Sequence, residues 1–318
     1  MSSLLSVSDA QQRLINQFSV LEARRVPLVE AAGRVLAEAV ISSFDLPPFS
    51  NSSMDGFAVQ AADLASARQD QPAALRVVAD IPAGSRVQVK LRSGQAARIM
   101  TGAPLPKGAD AVIPVENTDF SQRQAGLAPP KEVQAFSPVR VGENVRPQGM
   151  DVRAGEAVMQ PGDRLRPQDI GFLAMLGVAQ VKVIRSPRVA IFSTGDELLP
   201  VDAPLQEGKI YDSNTYALLA QVEQTGGIAL NLGIIADQAD AVQNCLDQAA
   251  ASEVDLILSS AGVSVGAFDF VRNVVEQQGK LDFWRVNMRP GKPVAFGAYK
   301  GIPFIGLPGN PVSAFVGF

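Results

Sequence analysis

The chain of 318 residues is 47% hydrophobic and carries 28 Lys+Arg against 32 Asp+Glu, a net charge of −4. It has apolar side chain for full cores in two or three domains and no overall attraction for nucleic acid or an anionic membrane. It has no histidine and one cysteine, which excludes Ser-His-Asp and Cys-His machinery, His-based zinc or iron sites and an internal disulfide.

The N-terminus, MSSLLSVSDAQQRL, lacks the basic start and apolar run of a signal peptide, and no stretch approaches the roughly 18 apolar residues of a spanning helix, so a cytoplasmic protein is expected. Val7, Ala10, Leu14 and Phe18 recur at helical spacing behind Ser6 and Ser8, which predicts a capped amphipathic first helix. From about Pro47 to Pro138 the texture changes to short β-branched runs, Leu75 to Val78, Arg86 to Val89 and Ala111 to Val115, broken by Pro and Gly. That predicts a β-rich domain over residues 46–138, with Gln122 to Pro130 its least structured part. Two motifs stand out there, Asn51-Ser52-Ser53-Met54-Asp55-Gly56 and Arg98-Ile99-Met100-Thr101-Gly102-Ala103-Pro104. On local physics alone, Asp55-Gly56 reads as a hairpin turn.

From residue 181 onward, apolar strand, glycine turn and amphipathic helix alternate, which predicts an α/β domain around a mostly parallel sheet. The expected strands are Arg188 to Ser193, Ile228 to Ile235, Val254 to Ser260, Pro293 to Tyr299 and Pro303 to Leu307. The expected helices are Thr215 to Gln224, Ala239 to Ala250, Phe268 to Gln278 and one from Pro311 on. Cys245 falls at helical spacing with Val242, Leu246 and Ala249, so burial rather than reactivity is expected. The chain stops at NPVSAFVGF, one or two turns into an apolar helix, an ending expected of a chain cut short.

In an open parallel sheet, ligands bind beyond the carboxyl ends of the strands. Those ends carry Thr194-Gly195-Asp196-Glu197, then Asp237, then Ala261-Gly262-Val263-Ser264-Val265-Gly266 with Asp269 beyond, and Pro308-Gly309-Asn310-Pro311; Arg289-Pro290-Gly291-Lys292 precedes a strand. The glycine turn with Gly262 and Gly266 can aim amides at phosphate, and Arg289 and Lys292 can meet anionic oxygens. Glu197, Asp237 and Asp269 could meet around a hard cation such as Mg²⁺. Taken singly, each of these acids and turns has an ordinary reading as a cap, a tight turn or a solvated pair. Their accumulation on one expected edge favours a site.

The blocks NSSMDGFAV, RIMTGAPLPKGADAVIPVE, FSTGDEL, IYDSN, LSSAGVSVGAFDF, MRPGKPVAFG and GLPGNPVSA, in this order, resemble the molybdopterin molybdenumtransferase family, which includes the catalytic domain of gephyrin. The resemblance covers nearly the whole chain and implies a multi-domain α/β protein, with residues 1–45 and 139–180 forming an elongated helical/mixed domain interrupted by the β-rich one and residues 181–318 binding molybdopterin. It implies Asp55, Thr101, Glu197, Asp237, Asp269, Arg289 and Lys292 as active-site residues, with Ser264, Pro308 and Pro311 as supports. It implies a homodimer, in which the β-rich domain of one subunit closes over the α/β site of the other. The implied reaction inserts molybdenum from molybdate into adenylylated molybdopterin and releases AMP with Mg²⁺ present; molybdopterin adenylyltransferase is an expected partner.

Phosphoanhydride cleavage needs electrostatic stabilisation more than a protein nucleophile, so the acids go to the cation and attacking water and the cations to phosphate or molybdate oxygens. Two departures from the family are Arg where members often carry Lys, at Arg285 and Arg289, and Ala261 where many have Gly. A further one is the family's C-terminal β domain, expected to be missing after Phe318. The alternatives are a molybdopterin adenylyltransferase, against which the MDG and MTGAP blocks count, and a non-catalytic dimeric scaffold with the same fold.

Overall fold

The computed structural model describes residues 5–120, 128–261, 267–283, 286–291 and 293–318. The chain forms two compact units, one of Glu38–Asp163 with Gly171–Ala179, the other of Met1–Ala37, Arg164–Ile170 and Gln180–Phe318.

The first unit is built on strands β1 (Gly56–Val59), β2 (Ala73–Ile81), β3 (Gln95–Ile99), β4 (Ala111–Pro114) and β5 (Glu132–Ala135), in the order β4-β1-β3-β2-β5. All its pairs are antiparallel except β2 with β3. The sheet is buried on both faces: Phe57 and Val59 pack with Leu75, Ile113 and Val133, whereas Ala58 packs with Ile81, Ile99 and Val112 on the other. Alternate side chains point to opposite faces, so β1 reads as a continuous apolar run. Arg86 to Val89, expected as a strand, is irregular. Val87 and Val89 are partly buried against the Ile81 and Ile99 cluster, but burial without a neighbouring edge to pair with does not make a ladder. Of the Gln122 to Pro130 segment, residues 122–127 lie outside the described residues.

The second unit begins with α1 (Val7–Ile15), where Ser6, not Ser8, is the cap: its Oγ accepts the Asp9 N–H at 3.1 Å. Ala23–Pro27 pairs antiparallel with Gln180–Ile184. Helix α2 (Pro167–Met175) opens with proline at its first position, where the missing N–H is no loss; its residues up to Ile170 belong to this unit and those from Gly171 to the first.

The large sheet of this unit comprises β6 (Arg188–Thr194), β7 (Ile228–Ile235), β8 (Leu256–Ala261), β9 (Gly279–Phe283), β10 (Ala295–Tyr299) and β11 (Ile302–Pro308), in the order β7-β6-β8-β11-β10-β9. The first four in that order are parallel, and β10 and β9 add antiparallel. β9 has no counterpart in the sequence expectations. Helices α3 (Asn214–Gln224), α4 (Ala239–Ala251), α5 (Ala267–Gln278) and α6 (Pro311–Gly317) complete the alternation.

Parity along β6 assigns the layers. Ala190 and Phe192 face α4 and α5 through Val242, Leu246, Val271 and Val275, whereas Val189 and Ile191 face Leu218 and Val222 of α3 and Ala314 of α6. Cys245 belongs to the first cluster and is 4% exposed. Burial pushes its thiol up to about 12, so it stays protonated and inert, as its spacing predicted.

Candidate functional site

β6 leads to β7 on one side and, after α4, the chain returns to β8 on the other. The strand order therefore reverses between β6 and β8, and in open α/β sheets the crevice beyond the carboxyl ends at such a point is where ligands bind. Thr194 and Ala261, the last residues of these strands, are register partners. Thr194 is fully buried and its hydroxyl has no hydrogen-bond partner.

The turn after β6 needs its glycine. Gly195 has φ +149°, and a Cβ there would lie 2.7 Å from Glu197 Oε2, so the glycine lets the Glu197 carboxylate fold back over the turn. Ile210 N–H donates to the Glu197 carbonyl at 2.8 Å, and the Lys209 ammonium donates to the Asp196 carbonyl. The side chains of Asp196 and Glu197 remain exposed.

Asp237 reaches this turn from β7, which carries a bulge. Ile191 pairs with Asn231 but Phe192 with Gly233, leaving one extra residue. Gly233 takes φ +83° and donates its N–H to Asn231 Oδ1 at 2.8 Å. Such bulges re-aim a strand end. The Asp237 N–H lies 3.4 Å from Asp196 Oδ1, and Asp237 Oδ1 is buried without a partner. Burial raises the Asp237 pKa above the usual carboxylate range; an Asp196 backbone hydrogen bond opposes this, and repulsion from Asp196 and Glu197 adds to it. The structure thus brings Glu197 and Asp237 together, as expected, and adds Asp196. Among the described residues no group of three acids is gathered closely enough to hold a metal by itself.

Beneath the edge lies a polar layer that the sequence reading assigned to no role. Asp212, 4% exposed, accepts from Ser193 Oγ and the Thr215 N–H, both at 3.1 Å. The Asn214 amide nitrogen donates to Ser260 Oγ at 2.7 Å and to the Gly309 carbonyl at 2.8 Å. The signal was the block IYDSN: an Asp just before a helix and an Asn at its first position are ordinary helix-start residues, and only their long-range partners distinguish them.

Pro308 ends β11, buried and in register with Ala261. Asn310 caps α6, its Oδ1 accepting from Val312 N–H at 3.1 Å and Ser313 N–H at 3.3 Å, with Pro311 at the first helical position. Arg289 is exposed in the turn before β10. Gly262, Ser264, Gly266, Lys292 and Arg285 lie outside the described residues, as does the side chain of Asp269, whose backbone belongs to α5.

In the first unit, the two motifs interlock. Asp55 Oδ1 accepts from the Thr101 N–H at 2.7 Å and from its hydroxyl at 2.8 Å. Ser52 fixes the approach, its Oγ donating to the Met54 carbonyl at 2.6 Å, while the Gly102 N–H donates to the Ser52 carbonyl at 2.8 Å. The hairpin reading of Asp55-Gly56 is corrected here: Gly56 opens β1 without a left-handed φ. Glycine is required because a Cβ would collide with the Ile113 carbonyl of β4.

Residues 5–177 match the family described as MoeA N-terminal region (domain I and II), and residues 190–318 the one described as Probable molybdopterin binding domain. A molybdopterin molybdenumtransferase of Haemophilus influenzae is 38% identical over 316 residues, covering 99% of this chain and 75% of that protein. One from Nostoc sp. is 41% identical over 322 residues, covering 98% and 72%. The crystal structure of the molybdopterin biosynthesis moeA protein from Pyrococcus horikoshii is similar with a TM-score of 0.79 at 32% identity, over 98% of this chain and 76% of that one. With both matches spanning nearly all of its length, and with the Asp55–Thr101 pair and the acidic strand edge in place, the chain belongs to the molybdopterin molybdenumtransferase family of enzymes.

Proposed function

We propose that this protein inserts molybdenum from molybdate into adenylylated molybdopterin and releases AMP, with Mg²⁺ required, acting as a cytoplasmic homodimer. The observation that carries the reading is Asp237: a buried carboxylate oxygen without a partner, repelled by Asp196 and Glu197, at the strand-order reversal of a molybdopterin-binding fold. Two close carboxylates with an unsatisfied oxygen suit a hard cation, and Mg²⁺ is ordinarily held by one or two carboxylates with substrate phosphates completing its shell.

Glu197 and Asp237 would hold Mg²⁺ there, with Asp269 assigned to the same set. Held there, Mg²⁺ would supply positive charge for the phosphate oxygens of the anhydride. Glu197 and Asp237 are assigned to orienting the attacking water as well. Arg289 and Lys292 bind phosphate or molybdate oxygens, and the glycine turn with Gly262, Ser264 and Gly266 binds phosphate through its amides. Asp55, held by Thr101, supplies a fixed carboxylate. The match of residues 5–177 to the MoeA N-terminal region favours this reaction over pterin adenylylation, since that region lies outside the α/β domain. Molybdopterin adenylyltransferase is the natural supplier of the substrate.

Purified protein given adenylylated molybdopterin, Mg²⁺ and molybdate should release AMP, and release should stop without Mg²⁺. Absence of AMP release with all three present would rule the function out. Chains carrying Asp55→Ala and Glu197→Ala, each inactive alone, should regain AMP release when refolded together. No recovery would count against a reaction shared between subunits.

A further inference from the structure

The α3 side of the sheet contains a polar layer where an apolar one would pack more simply. Ser193 of β6 and Ser260 of β8 are register partners on the face that carries Ile191 and Leu258 into the α3 and α6 core. Asp212 holds Ser193 and Asn214 holds Ser260. Asn214 then reaches the Gly309 carbonyl, at the turn between β11 and α6. Buried polar groups are costly unless fully hydrogen-bonded, and in return they specify one geometry. Every strand end bordering the reversal point except that of β7 is held by these two side chains.

The orientation of the Asn214 amide follows from chemistry. A carbonyl oxygen can only accept, so the atom facing Gly309 must be the nitrogen, and its two hydrogens match the two acceptors. At 9% exposure the group is out of solvent, so water does not replace a lost bond cheaply.

We infer that Asn214 is a positioning residue for the ligand crevice: through Ser260 and the Gly309 carbonyl it sets the spacing between the end of β8 and the Pro308–Pro311 turn. It touches no reacting atom. The ligand side of this inference rests on the reading above, that adenylylated molybdopterin occupies the crevice. The decisive substitution is Asn214→Asp, which keeps the shape but places an anionic oxygen against the Gly309 carbonyl. A packing role alone would tolerate it; a donor role would not.

Hydrogen exchange tests the positioning without any ligand. Asn214→Asp and Asn214→Ala should each speed exchange at the Val312 and Ser313 amides at least tenfold, with the α4 amides unchanged. Binding of adenylylated molybdopterin, measured by calorimetry, should weaken at least tenfold in both variants, with KM rising more than kcat falls. Ser260→Ala should weaken binding in the wild-type background and add little on Asn214→Ala, since both remove one shared contact. Unchanged exchange at Val312 and Ser313, or unchanged affinity in variants of a wild type that binds, overturns the inference. A wild type that fails to bind adenylylated molybdopterin sinks the functional reading instead, and exchange then decides the positioning role by itself.

Discussion

Asp55 and Asp237 are both carboxylates proposed for the site, yet they sit in opposite conditions. Asp55 is exposed, and two Thr101 donors bind one of its oxygens within 2.8 Å. Asp237 is half-buried with an oxygen that nothing satisfies, and burial and two neighbouring acids raise its pKa. A satisfied carboxylate is a finished part whose orientation is set before any ligand arrives. One with an oxygen left unsatisfied and two acids beside it is a cost the fold carries until a cation or proton meets it.

That contrast breaks first at Asp237. Asp237→Asn should lower AMP release by on the order of 100-fold or more, the scale of losing one electrostatic partner at a reacting centre. Its thermal midpoint at pH 7 should not fall and should rise slightly. The folded-state pKa is raised, so the ionised carboxylate destabilises the protein at neutral pH, and this penalty disappears as pH falls through the raised value. Melting curves from pH 7 down to pH 4 should therefore converge for variant and wild type. A clear loss of stability in Asp237→Asn at pH 7 would show the carboxylate to be satisfied after all.

In the first unit the larger expected effect is on folding. Gly56→Ala places a methyl group against the Ile113 backbone and should cost roughly 1–3 kcal/mol, as overpacking does, read from urea unfolding. If Gly56 served a hairpin turn, alanine would instead act through φ alone and leave β4 undisturbed. Smaller still, Thr101→Val keeps the N–H and removes the hydroxyl from Asp55, a change of about 1 kcal/mol. Calorimetric unfolding of that variant should show the small loss, with AMP release falling several-fold. Equal activity would mean that the N–H alone fixes Asp55.

The smallest effect separates ordinary ion pairing from site electrostatics. Arg185 forks onto both oxygens of Asp255 at 2.6 Å, and the Arg188 N–H adds a third bond. The Arg185 hydrogen bond, ahead of opposing desolvation, holds the Asp255 carboxyl below its usual range. Its contribution to stability is complete above about pH 4, the ordinary carboxylate value, and is lost as pH falls through the lowered one. Asp255→Asn should be less stable than wild type at pH 7, and the gap should close in strong acid, the reverse of the Asp237→Asn trend.

Much of this molecule is legible in its residues because the governing rules are local. Period-two and period-3.6 patterns place β6, β7, α4 and the α/β order within a residue or two, and the burial of Cys245 follows from its neighbours on α4. The rule that ligands meet strand ends puts Glu197 and Asp237 on one edge from sequence alone. Runs such as Arg86 to Val89 misled for the converse reason: a strand needs a partner, and no residue carries its partner in its own spacing.

What only the tertiary structure decided concerns groups far apart in the chain. Gly56 is a glycine because β4 passes close behind it, which no turn statistic contains. The bulge at Gly233 depends on the pairing of β7 with β6. Asn214 meets partners 46 and 95 residues away, and reads from sequence as a helix-start residue. Local propensity follows from each residue and its near neighbours, whereas these contacts exist only once the sheet order has brought strand ends together. Thus the chain's own pattern determined which strand ends gather the acids, and the three-dimensional packing decided which side chains hold that edge in shape.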